Sequence, residues 1–376
     1  MTPIGRNMKS TDIDYMKQAL TLALKSKGET SPNPLVGAVV VRNKKIISEG
    51  WHRACGGDHA EVIALKKAGA KAQGAKLYVT LEPCSHTGRT PPCVEKIIAA
   101  GIQEVIVGMV DPNPVNNGKS ISKLKRAGIR VKVGFLENEL NKINEPFLKY
   151  ITKKLPFVTA KCAQTLDGKI ATASGESKWI TSQETRDYAH RLRSDFDGIL
   201  VGINTVLKDN PFLNAKKKIK PIKKIIVDSN LRLPLKANLF KNTNPSDIVV
   251  ATTKTAPKNK FDQLRKKGVN LIVCPRVSGT EKRIQLRFLF KELARREITS
   301  ILIEGGGRVI GGALQEKLVD KFLIFVAPKI VGDQDALSSV RGLGINRINR
   351  LIKLRGLTVK RISEDILIEG YVYRSY

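Results

Sequence analysis

The sequence His59-Ala60-Glu61, followed by an apolar run at 76–81 and then by Pro83-Cys84-Ser85-His86-Thr87-Gly88-Arg89-Thr90-Pro91-Pro92-Cys93, combines three potential metal ligands with one carboxylate. Good helix formers at 60–68 predict a helix that starts beside His59. The run at 76–81 (KLYVTL) predicts a buried strand that delivers Cys84 just past its end. The two prolines favour a second helix at 93–100, with Cys93 in its first turn. Strand, loop and helix are therefore expected to converge on one point.

These residue types together are typical of a catalytic zinc centre. His59, Cys84 and Cys93 would supply three ligands and leave the fourth tetrahedral position open for water. Zinc lowers the pKa of such a water to roughly 7, and Glu61 can move protons between the water and a departing amine. Zinc deaminases carry His-x-Glu followed by Pro-Cys-x-x-Cys, with the glutamate as proton shuttle. Here eight residues separate the cysteines, but the pattern still predicts a zinc-dependent deaminase with Glu61 as the catalytic residue.

The alternative for this segment is a structural zinc. His52, Cys55 or His86 would then be the fourth ligand, because structural sites are closed by four protein ligands. The adjacent acid at position 61 favours the catalytic interpretation.

Composition predicts a cytoplasmic globular enzyme. The 376 residues are 41% hydrophobic and 27% charged. Such a chain is long enough for two domains with cores of ordinary size. No apolar run is long enough to cross a bilayer, so no membrane association is expected. The five cysteines are scattered and do not suggest a disulfide framework.

The net charge of +32 raises the question of a nucleic-acid partner. Residues 1–150 carry 23 Lys and Arg against 13 Asp and Glu, and both halves of the chain are basic, without an Arg-rich tail. The densest run, at 216–224, is interpreted mainly as a solvated loop before a strand. Only 5% of the residues are aromatic, so stacking platforms for bases are scarce. We therefore predict no nucleic-acid partner.

Alternating strand and helix patterns predict two α/β domains, 1–150 and 151–376, divided in the proline-flanked region 144–156. In the first domain, Asp111-Pro112-Asn113-Pro114 follows a strand, where it is either a ligand-contacting loop or a simple turn. The predicted helices are 12–27, 60–68, 93–100, 183–193 and 287–295. The predicted strands are 36–41, 46–48, 76–81, 104–110, 157–163, 198–201, 224–227, 247–251, 270–273, 300–303 and 322–326.

The second domain carries a glycine-rich segment, Glu304-Gly305-Gly306-Gly307-Arg308-Val309-Ile310-Gly311-Gly312, between a strand and a helix. Glycines at such a junction let backbone N–H groups approach a phosphate. The spacing is not that of a Rossmann dinucleotide site. A phosphate cradle and a tight strand-to-helix turn remain equally open.

Several long segments resemble the bifunctional riboflavin-biosynthesis deaminase-reductases of bacteria, over nearly the whole chain. The matching segments are Pro32-Asn33-Pro34-Leu35-Val36-Gly37-Ala38-Val39, His52 with His59-Ala60-Glu61, the Pro83 to Cys93 segment with its eight-residue spacing, Asp111 to Pro114, Thr165 to Ala171, Ser174 to Thr181, Asp209 to Leu213, and Glu304 to Gly312. The resemblance implies a cytidine-deaminase-like α/β/α sandwich followed by a dihydrofolate-reductase-like α/β domain.

The resemblance also implies substrates, cofactors and site residues. A phosphoribosylaminopyrimidine would be deaminated with Zn²⁺, and its ribosyl side chain would then be reduced with NADPH; we also expect a homo-oligomer. Asn33, His52, Asp111 and Asn113 would orient the first substrate. NADPH would contact Ala163, Trp179, Thr205, Asp209, Ser229, Gly306, Gly307, Arg308, Val309, Ile310, Gly311 and Gly312. The second substrate would face Lys161, Ser177, Arg193, Leu213, Lys216 and Glu304.

One position departs from the family pattern. Lys216 stands where the family usually has Arg, which keeps the charge but loses planar bidentate recognition. Arg193, in contrast, can bind a phosphate bidentately.

The rival hypotheses are a nucleic-acid adenosine or cytidine deaminase with an accessory domain, and a non-catalytic basic RNA-binding protein. The cysteine spacing counts against the first, since nucleic-acid deaminases typically place two residues between the cysteines. Glu61 beside a metal ligand counts against the second. A third possibility is that only one of the two domains is active.

Overall fold

The computed structural model describes residues 10–88, 91–215, 220–278 and 283–373. The chain divides into two compact units, Met1–Lys154 and Leu155–Tyr376. We call them unit 1 and unit 2.

The described part of unit 1 is built from helices and one mixed sheet. The helices are α1 (Ser10–Leu24), α2 (Ala60–Ala68), α3 (Cys93–Ala99), α4 (Lys119–Arg126), α5 (Glu137–Ile143) and α6 (Glu145–Lys153), and the strands are β1 (Gly37–Arg42), β2 (Lys45–Trp51), β3 (Lys76–Leu81), β4 (Glu104–Met109) and β5 (Arg130–Val133). The sheet order is β2-β1-β3-β4-β5. β1 is antiparallel to β2 and β3, whereas β3, β4 and β5 are parallel.

Helices cover both faces of this sheet. A Cβ added to Gly37 would meet the Ala19 carbonyl of α1 at 2.0 Å, and one added to Gly50 would meet the Ala60 carbonyl of α2 at 2.3 Å. Gly50 pairs with Ala38, the residue after Gly37, so the two glycines face opposite sides of the sheet. Unit 1 is therefore the expected α/β/α sandwich.

Unit 2 contains a long mixed sheet. In its described part the strands are β6 (Phe157–Thr165), β7 (Lys169–Ala171), β8 (Gly198–Gly202), β9 (Lys223–Val227), β10 (Ile248–Thr252), β11 (Asn270–Val273), β12 (Ser300–Glu304), β13 (Lys321–Ala327), β14 (Leu337–Ser338), β15 (Leu354–Ile362) and β16 (Asp365–Val372). The helices are α7 (Gln183–Leu192), α8 (Ile203–Asp209), α9 (Lys258–Lys266), α10 (Leu286–Arg295) and α11 (Gly307–Gln315).

The order of the long sheet explains the apolar runs in its sequence. It is β11-β10-β9-β8-β12-β6-β13-β16-β15, with neighbouring strands parallel from β11 to β13. Leu200 and Ile225 belong to one core cluster, while their neighbours Val201 and Ile226 belong to another. Both faces of these strands are therefore buried, as parallel sheets require.

The described residues include no helix that is both long and apolar enough to cross a bilayer.

Candidate active sites

The three predicted zinc ligands lie together in unit 1. The ligand atoms of His59, Cys84 and Cys93 are all within 4.8 Å of one another, with His59 Nδ1 3.1 Å from Cys93 Sγ and 3.6 Å from Cys84 Sγ. His59 is the N-cap of α2, Cys84 follows β3, and Cys93 opens α3. One imidazole and two thiols form a donor set that fits zinc.

None of the three alternative fourth ligands joins this cluster. Within the described residues, the group with ligand atoms this close contains only His59, Cys84 and Cys93. His52 uses both ring nitrogens elsewhere: Nδ1 is 3.1 Å from the Asp58 carbonyl and Nε2 is 3.0 Å from Asn33 Nδ2. Three ligands with an open position favour a catalytic metal over a structural one.

The two thiols of this cluster share a proton. The hydrogen bond with Cys93, together with His59, lowers the pKa of Cys84 to about 4, and the same hydrogen bond raises the pKa of Cys93. Metal ligation requires both thiolates, so binding of the metal would release the proton from Cys93. Burial raises the pKa of Glu61, whose residue is only 3% exposed. A carboxyl with a raised pKa is better matched to accepting and returning a proton at neutral pH.

Two of the predicted substrate residues adjoin the metal ligands. Asn33 Nδ2 donates to His52 Nε2, and the His52 ring packs edge-on against His59 with centroids 5.3 Å apart. Burial lowers the pKa of His52, so the neutral ring that these contacts require is favoured. The cluster therefore extends from the ligands to the amide of Asn33.

The other two substrate residues lie on the loop after β4. Asp111 Oδ2 accepts from Asn116 Nδ2 at 3.2 Å, and Asp111 Oδ1 accepts from the Asn113 backbone N–H at 2.9 Å. Asn113 turns its own Oδ1 to the Val115 N–H. Burial raises the pKa of Asp111.

Sequence reasoning missed two buried residues, Glu82 and Asn116, that fix this loop to the segment that carries Cys84. Asn116 Nδ2 donates to the Pro83 carbonyl, and its Oδ1 accepts from both the N–H and the hydroxyl of Ser85. Glu82 accepts from the N–H groups of Asp111 and Gly118. The only sequence signal was position: Glu82 directly precedes Pro83-Cys84, and Asn116 follows Asp111-Pro112-Asn113-Pro114 after one residue.

Unit 2 contains a cavity of about 1690 Å³, whose wall includes most of the predicted reductase residues. The cofactor candidates on the wall are Ala163, Trp179, Thr205, Asp209, Ser229, Gly306, Gly307, Arg308, Val309, Ile310 and Gly312, and the substrate candidates are Lys161, Ser177, Arg193, Leu213 and Glu304. Gly311 is instead packed against a neighbouring segment, because an added Cβ would meet the Arg341 carbonyl at 1.9 Å. Lys216 lies outside the described residues.

Arg193 and Glu304 form a buried bidentate ion pair in this cavity. Arg193 Nε and Nη2 each lie 2.8 Å from a carboxylate oxygen of Glu304, and Nη1 donates to the Asn214 carbonyl. Burial opposes ionisation of Glu304, but Arg193 outweighs it and lowers the pKa of the carboxyl. The Nε/Nη2 edge of the guanidinium is therefore occupied by Glu304 and is closed to a phosphate, which the sequence did not predict.

The glycine-rich segment forms a tight strand-to-helix turn, and its role as a phosphate cradle stays a prediction. Gly305 and Gly306 have φ values of 87° and 80°, and Gly306 is the N-cap of α11, so the turn itself favours glycine. A Cβ on Gly305 would find Thr205 Oγ1 no closer than 3.7 Å, which leaves this part of the loop open to the cavity. The turn, the open loop and the cavity size together fit a dinucleotide phosphate at a helix N-terminus.

The basic run at 216–224 is not simply a solvated loop. Residues 220–224 are described, and Lys223 and Lys224 belong to β9. Lys224 is 2% exposed, and its Nζ contacts the Phe212 carbonyl at 2.6 Å and Asn214 Oδ1 at 2.8 Å. A buried ammonium needs such acceptors, so Lys224 holds the loop that carries Leu213.

Comparison with known proteins gives matches over both units. Residues 9–109 match the model of the cytidine and deoxycytidylate deaminase zinc-binding region, and residues 156–368 match that of the RibD C-terminal domain. The riboflavin biosynthesis protein RibD of Aquifex aeolicus is 45% identical over 364 residues, which cover 96% of this chain and 98% of the relative. The corresponding Escherichia coli protein is 35% identical and covers 94% of this chain and 97% of its own length.

Solved structures give the same result. Acinetobacter baumannii RibD matches with a TM-score of 0.86 and 35% identity, covering 97% of this chain and 99% of that one. A Thermotoga maritima diaminohydroxyphosphoribosylaminopyrimidine deaminase/5-amino-6-(5-phosphoribosylamino)uracil reductase matches with a TM-score of 0.83 and 36% identity at the same coverage.

Proposed function

Because this chain belongs to the riboflavin biosynthesis RibD family, we propose that it catalyses two consecutive reactions on one phosphorylated aminopyrimidine. The first is hydrolytic deamination of 2,5-diamino-6-(5-phosphoribosylamino)pyrimidin-4(3H)-one to 5-amino-6-(5-phosphoribosylamino)uracil. The second is NADPH-dependent reduction of the ribosyl side chain to ribityl. The single observation that carries this proposal is the pairing of a three-ligand metal cluster beside Glu61 with a reductase unit on the same chain. A nucleic-acid deaminase would not account for the second unit.

In the deaminase, the residues of this chain would bind the ring and move protons. Zinc held by His59, Cys84 and Cys93 would supply Lewis acidity that makes water a nucleophile at neutral pH. Glu61 would take a proton from that water and return it to the amino nitrogen as ammonia leaves. The substrate carbon thereby exchanges a C–N bond for a C–O bond, and Glu61 returns to its initial protonation state.

The substrate would be oriented by the two loops around this cluster. Asn33 holds His52 through Nδ2, which leaves its Oδ1 as an acceptor for an N–H of the pyrimidine. Asp111 and Asn113 would contact the substrate from the loop that Asn116 ties to Pro83. These contacts would place the amino-bearing carbon near the metal cluster.

In the reductase, NADPH would supply the hydride from a site formed by Thr205, Ser229 and the glycine-rich segment 304–312, called the glycine loop below. Lys161 would face the substrate from β6, where it lies opposite Glu304 in the parallel register. An arginine has five N–H groups, and in Arg193 three of them are used by Glu304 and Asn214. The other two remain for the substrate, so Arg193 would bind it while Glu304 holds the guanidinium in place.

We also propose a homo-oligomer and a cytoplasmic location. Val359 and Ile366 of the edge hairpin β15–β16 are 69% and 42% exposed. The hairpin register places both side chains on one face of the sheet, because residues two apart on a strand, and residues paired across strands, share a face. Exposed apolar side chains beside the edge of a sheet are typical of a protein interface. Light scattering on the purified protein would test the oligomer, and a monomer would contradict it.

The test of the function is a coupled assay. Purified, zinc-loaded protein is supplied with the diaminopyrimidine phosphate and NADPH, and ammonia and NADPH are followed together. We expect ammonia release first and NADPH oxidation second. Ammonia release without NADPH oxidation would contradict the reductase assignment. The absence of both signals would contradict the deaminase and the reductase assignments.

A further inference from the structure

The strand order of unit 2 gives the cavity a direction. Lys161 and Ala163 lie on β6, and Glu304 and the glycine loop end β12. The next strand in the sheet after β12 is β8, and beyond it lies β9. Along the chain, β8 leads into α8, which carries Asn204 in its first turn, and β9 is followed by Ser229. Neighbouring strands are about 4.8 Å apart. The cavity wall therefore passes from the substrate residues to Ser229 over about three strands.

A bound dinucleotide would follow this direction. Its nicotinamide must lie against the substrate at β6 and β12, and its pyrophosphate at the glycine loop. The adenosine half would then extend past Thr205 to the end of β9. Here the cavity wall contains Ser229 and Arg232.

The chain fixes Arg232 in this position through the residues on either side. Leu231 and Leu233 are 1% and 0% exposed. The buried carboxylate of Asp228 accepts from the Leu233 N–H at 2.9 Å. Ser229 is held through its carbonyl, which accepts from the Thr253 hydroxyl at 3.0 Å. With its neighbours buried and its loop tied down, the exposed Arg232 side chain lines the cavity.

Arg232 also differs from Arg193 in its charge balance. Arg193 is neutralised by Glu304. Arg232 donates through Nη2 to the neutral Asn204 Oδ1 at 2.9 Å. The buried carboxylate of Asp228 attracts Arg232 electrostatically, but among the described residues no carboxylate oxygen lies within 4.0 Å of the Arg232 guanidinium. An arginine whose guanidinium contacts no carboxylate directly keeps N–H groups that are suited to bind a phosphate.

We propose that Arg232, with Asn204 and Ser229 of the same cavity wall, binds the ribose 2′-phosphate of NADPH and makes the reductase prefer NADPH over NADH. This rests on the proposed function, in which the cavity binds a nicotinamide dinucleotide. NADH differs from NADPH only in lacking that phosphate, so Arg232 is a specificity-determining residue and not a catalytic one.

The test is the binding of both dinucleotides to the full-length protein by titration calorimetry. We expect Arg232→Ala to raise the Kd of NADPH by about 10- to 100-fold, the loss typical of a hydrogen bond to a charged group. The Kd of NADH should change less than about twofold. Arg232→Lys keeps the charge without the planar fork, so its Kd for NADPH should lie between those of the unmodified protein and Arg232→Ala. Arg232→Ala should likewise weaken the binding of 2′,5′-ADP but not that of 5′-ADP, which lacks the 2′-phosphate.

The matched control is Arg265→Ala, which removes the same charge from the exposed surface of α9, away from the cavity wall. It should leave both affinities unchanged. Equal weakening of NADPH and NADH by Arg232→Ala, or no weakening of either, would overturn the inference while leaving the NADPH site intact. If the unmodified protein binds neither dinucleotide, the proposed reductase function fails and this inference with it.

Discussion

At the scale of single residues, Glu61 is the side chain whose environment is most specific to a proton-transfer role. It is buried beside three metal-ligand candidates, and that burial raises its pKa. Its side chain interacts with Cys93 and His59, which are themselves ligand candidates, whereas Glu304 is paired with Arg193. The position of Glu61 is therefore explained better by chemistry than by stability.

Replacing Glu61 should separate metal binding from catalysis. We expect Glu61→Gln to retain zinc and to lower deamination by about 10²- to 10⁴-fold, because general acid–base catalysis contributes about that much. Cys84→Ala should lose both zinc and activity. Zinc content by atomic absorption and ammonia release measure the two effects. The control is Glu95→Gln, an exposed carboxylate on α3; normal turnover by Glu61→Gln would refute the assigned role.

Arg193 gives a second prediction at this scale. Arg193→Ala leaves the carboxylate of Glu304 buried without its partner, so we expect the free energy of unfolding to fall by about 3–5 kcal/mol. In the reductase assay the KM for the aminouracil should rise while the Kd of NADPH stays unchanged. Adding Glu304→Gln should recover part of the stability, since it removes the unpaired charge. Equal loss of substrate and NADPH binding would contradict this placement.

At the scale of elements, the sequence predicted best where burial is regular. The predicted bounds of α2 and β3, 60–68 and 76–81, are those of the structure, because helix formers end at a glycine and an apolar run is buried on both faces. The sequence did not predict the following elements: α4, α5, α6, α8, α9, β5, β7, β14, β15 and β16. β15 has no fully buried residue, so hydrophobic periodicity carries little signal there. α4 is amphipathic but spans only eight residues, about two turns, in a basic stretch.

The same limit applies to the sites. The metal ligands and Glu61 follow from residue type and order. Glu82, Asn116 and Lys224 do not, because each acts by binding loops that are distant in sequence, and only the folded chain shows which loops meet.

Glu104 at the start of β4 makes a testable contribution to the sheet of unit 1. Its carboxylate pairs with Lys76 of β3 at 2.9 Å and with Lys132 of β5 at 3.0 Å. Burial opposes ionisation, but these two lysines outweigh it and lower the pKa of Glu104. A folded pKa below the unfolded value means that the stabilisation is present above the unfolded pKa of about 4.3 and is lost as pH falls through the folded value.

We therefore expect Glu104→Gln to lower the free energy of unfolding of unit 1 by about 1–3 kcal/mol at pH 7. The difference from the unmodified protein should shrink in acid, where the native carboxyl is protonated as well. Denaturant unfolding at pH 7 and pH 3 measures this. The exposed Glu139→Gln on α5 serves as control, and a difference that does not depend on pH would rule out the ion pairs as its source.

At the scale of the whole molecule, the two proposed activities depend on different parts of the chain. The metal-ligand candidates all lie within 59–93, whereas the residues lining the unit 2 cavity all lie within 161–342. Nothing in the proposed reductase requires the metal. The reductase should therefore remain active without zinc when the protein is given the deaminated substrate.

Removing the metal from the intact protein tests this division. After chelation and dialysis, the diaminopyrimidine phosphate should give neither ammonia nor NADPH oxidation, since the reductase would receive no substrate. The same protein supplied with 5-amino-6-(5-phosphoribosylamino)uracil should oxidise NADPH at its original rate, and added Zn²⁺ should restore ammonia release. A chelated protein that cannot reduce the aminouracil would show that the reductase depends on the metal-loaded unit, and the assignment of one complete reaction to each unit would then be wrong.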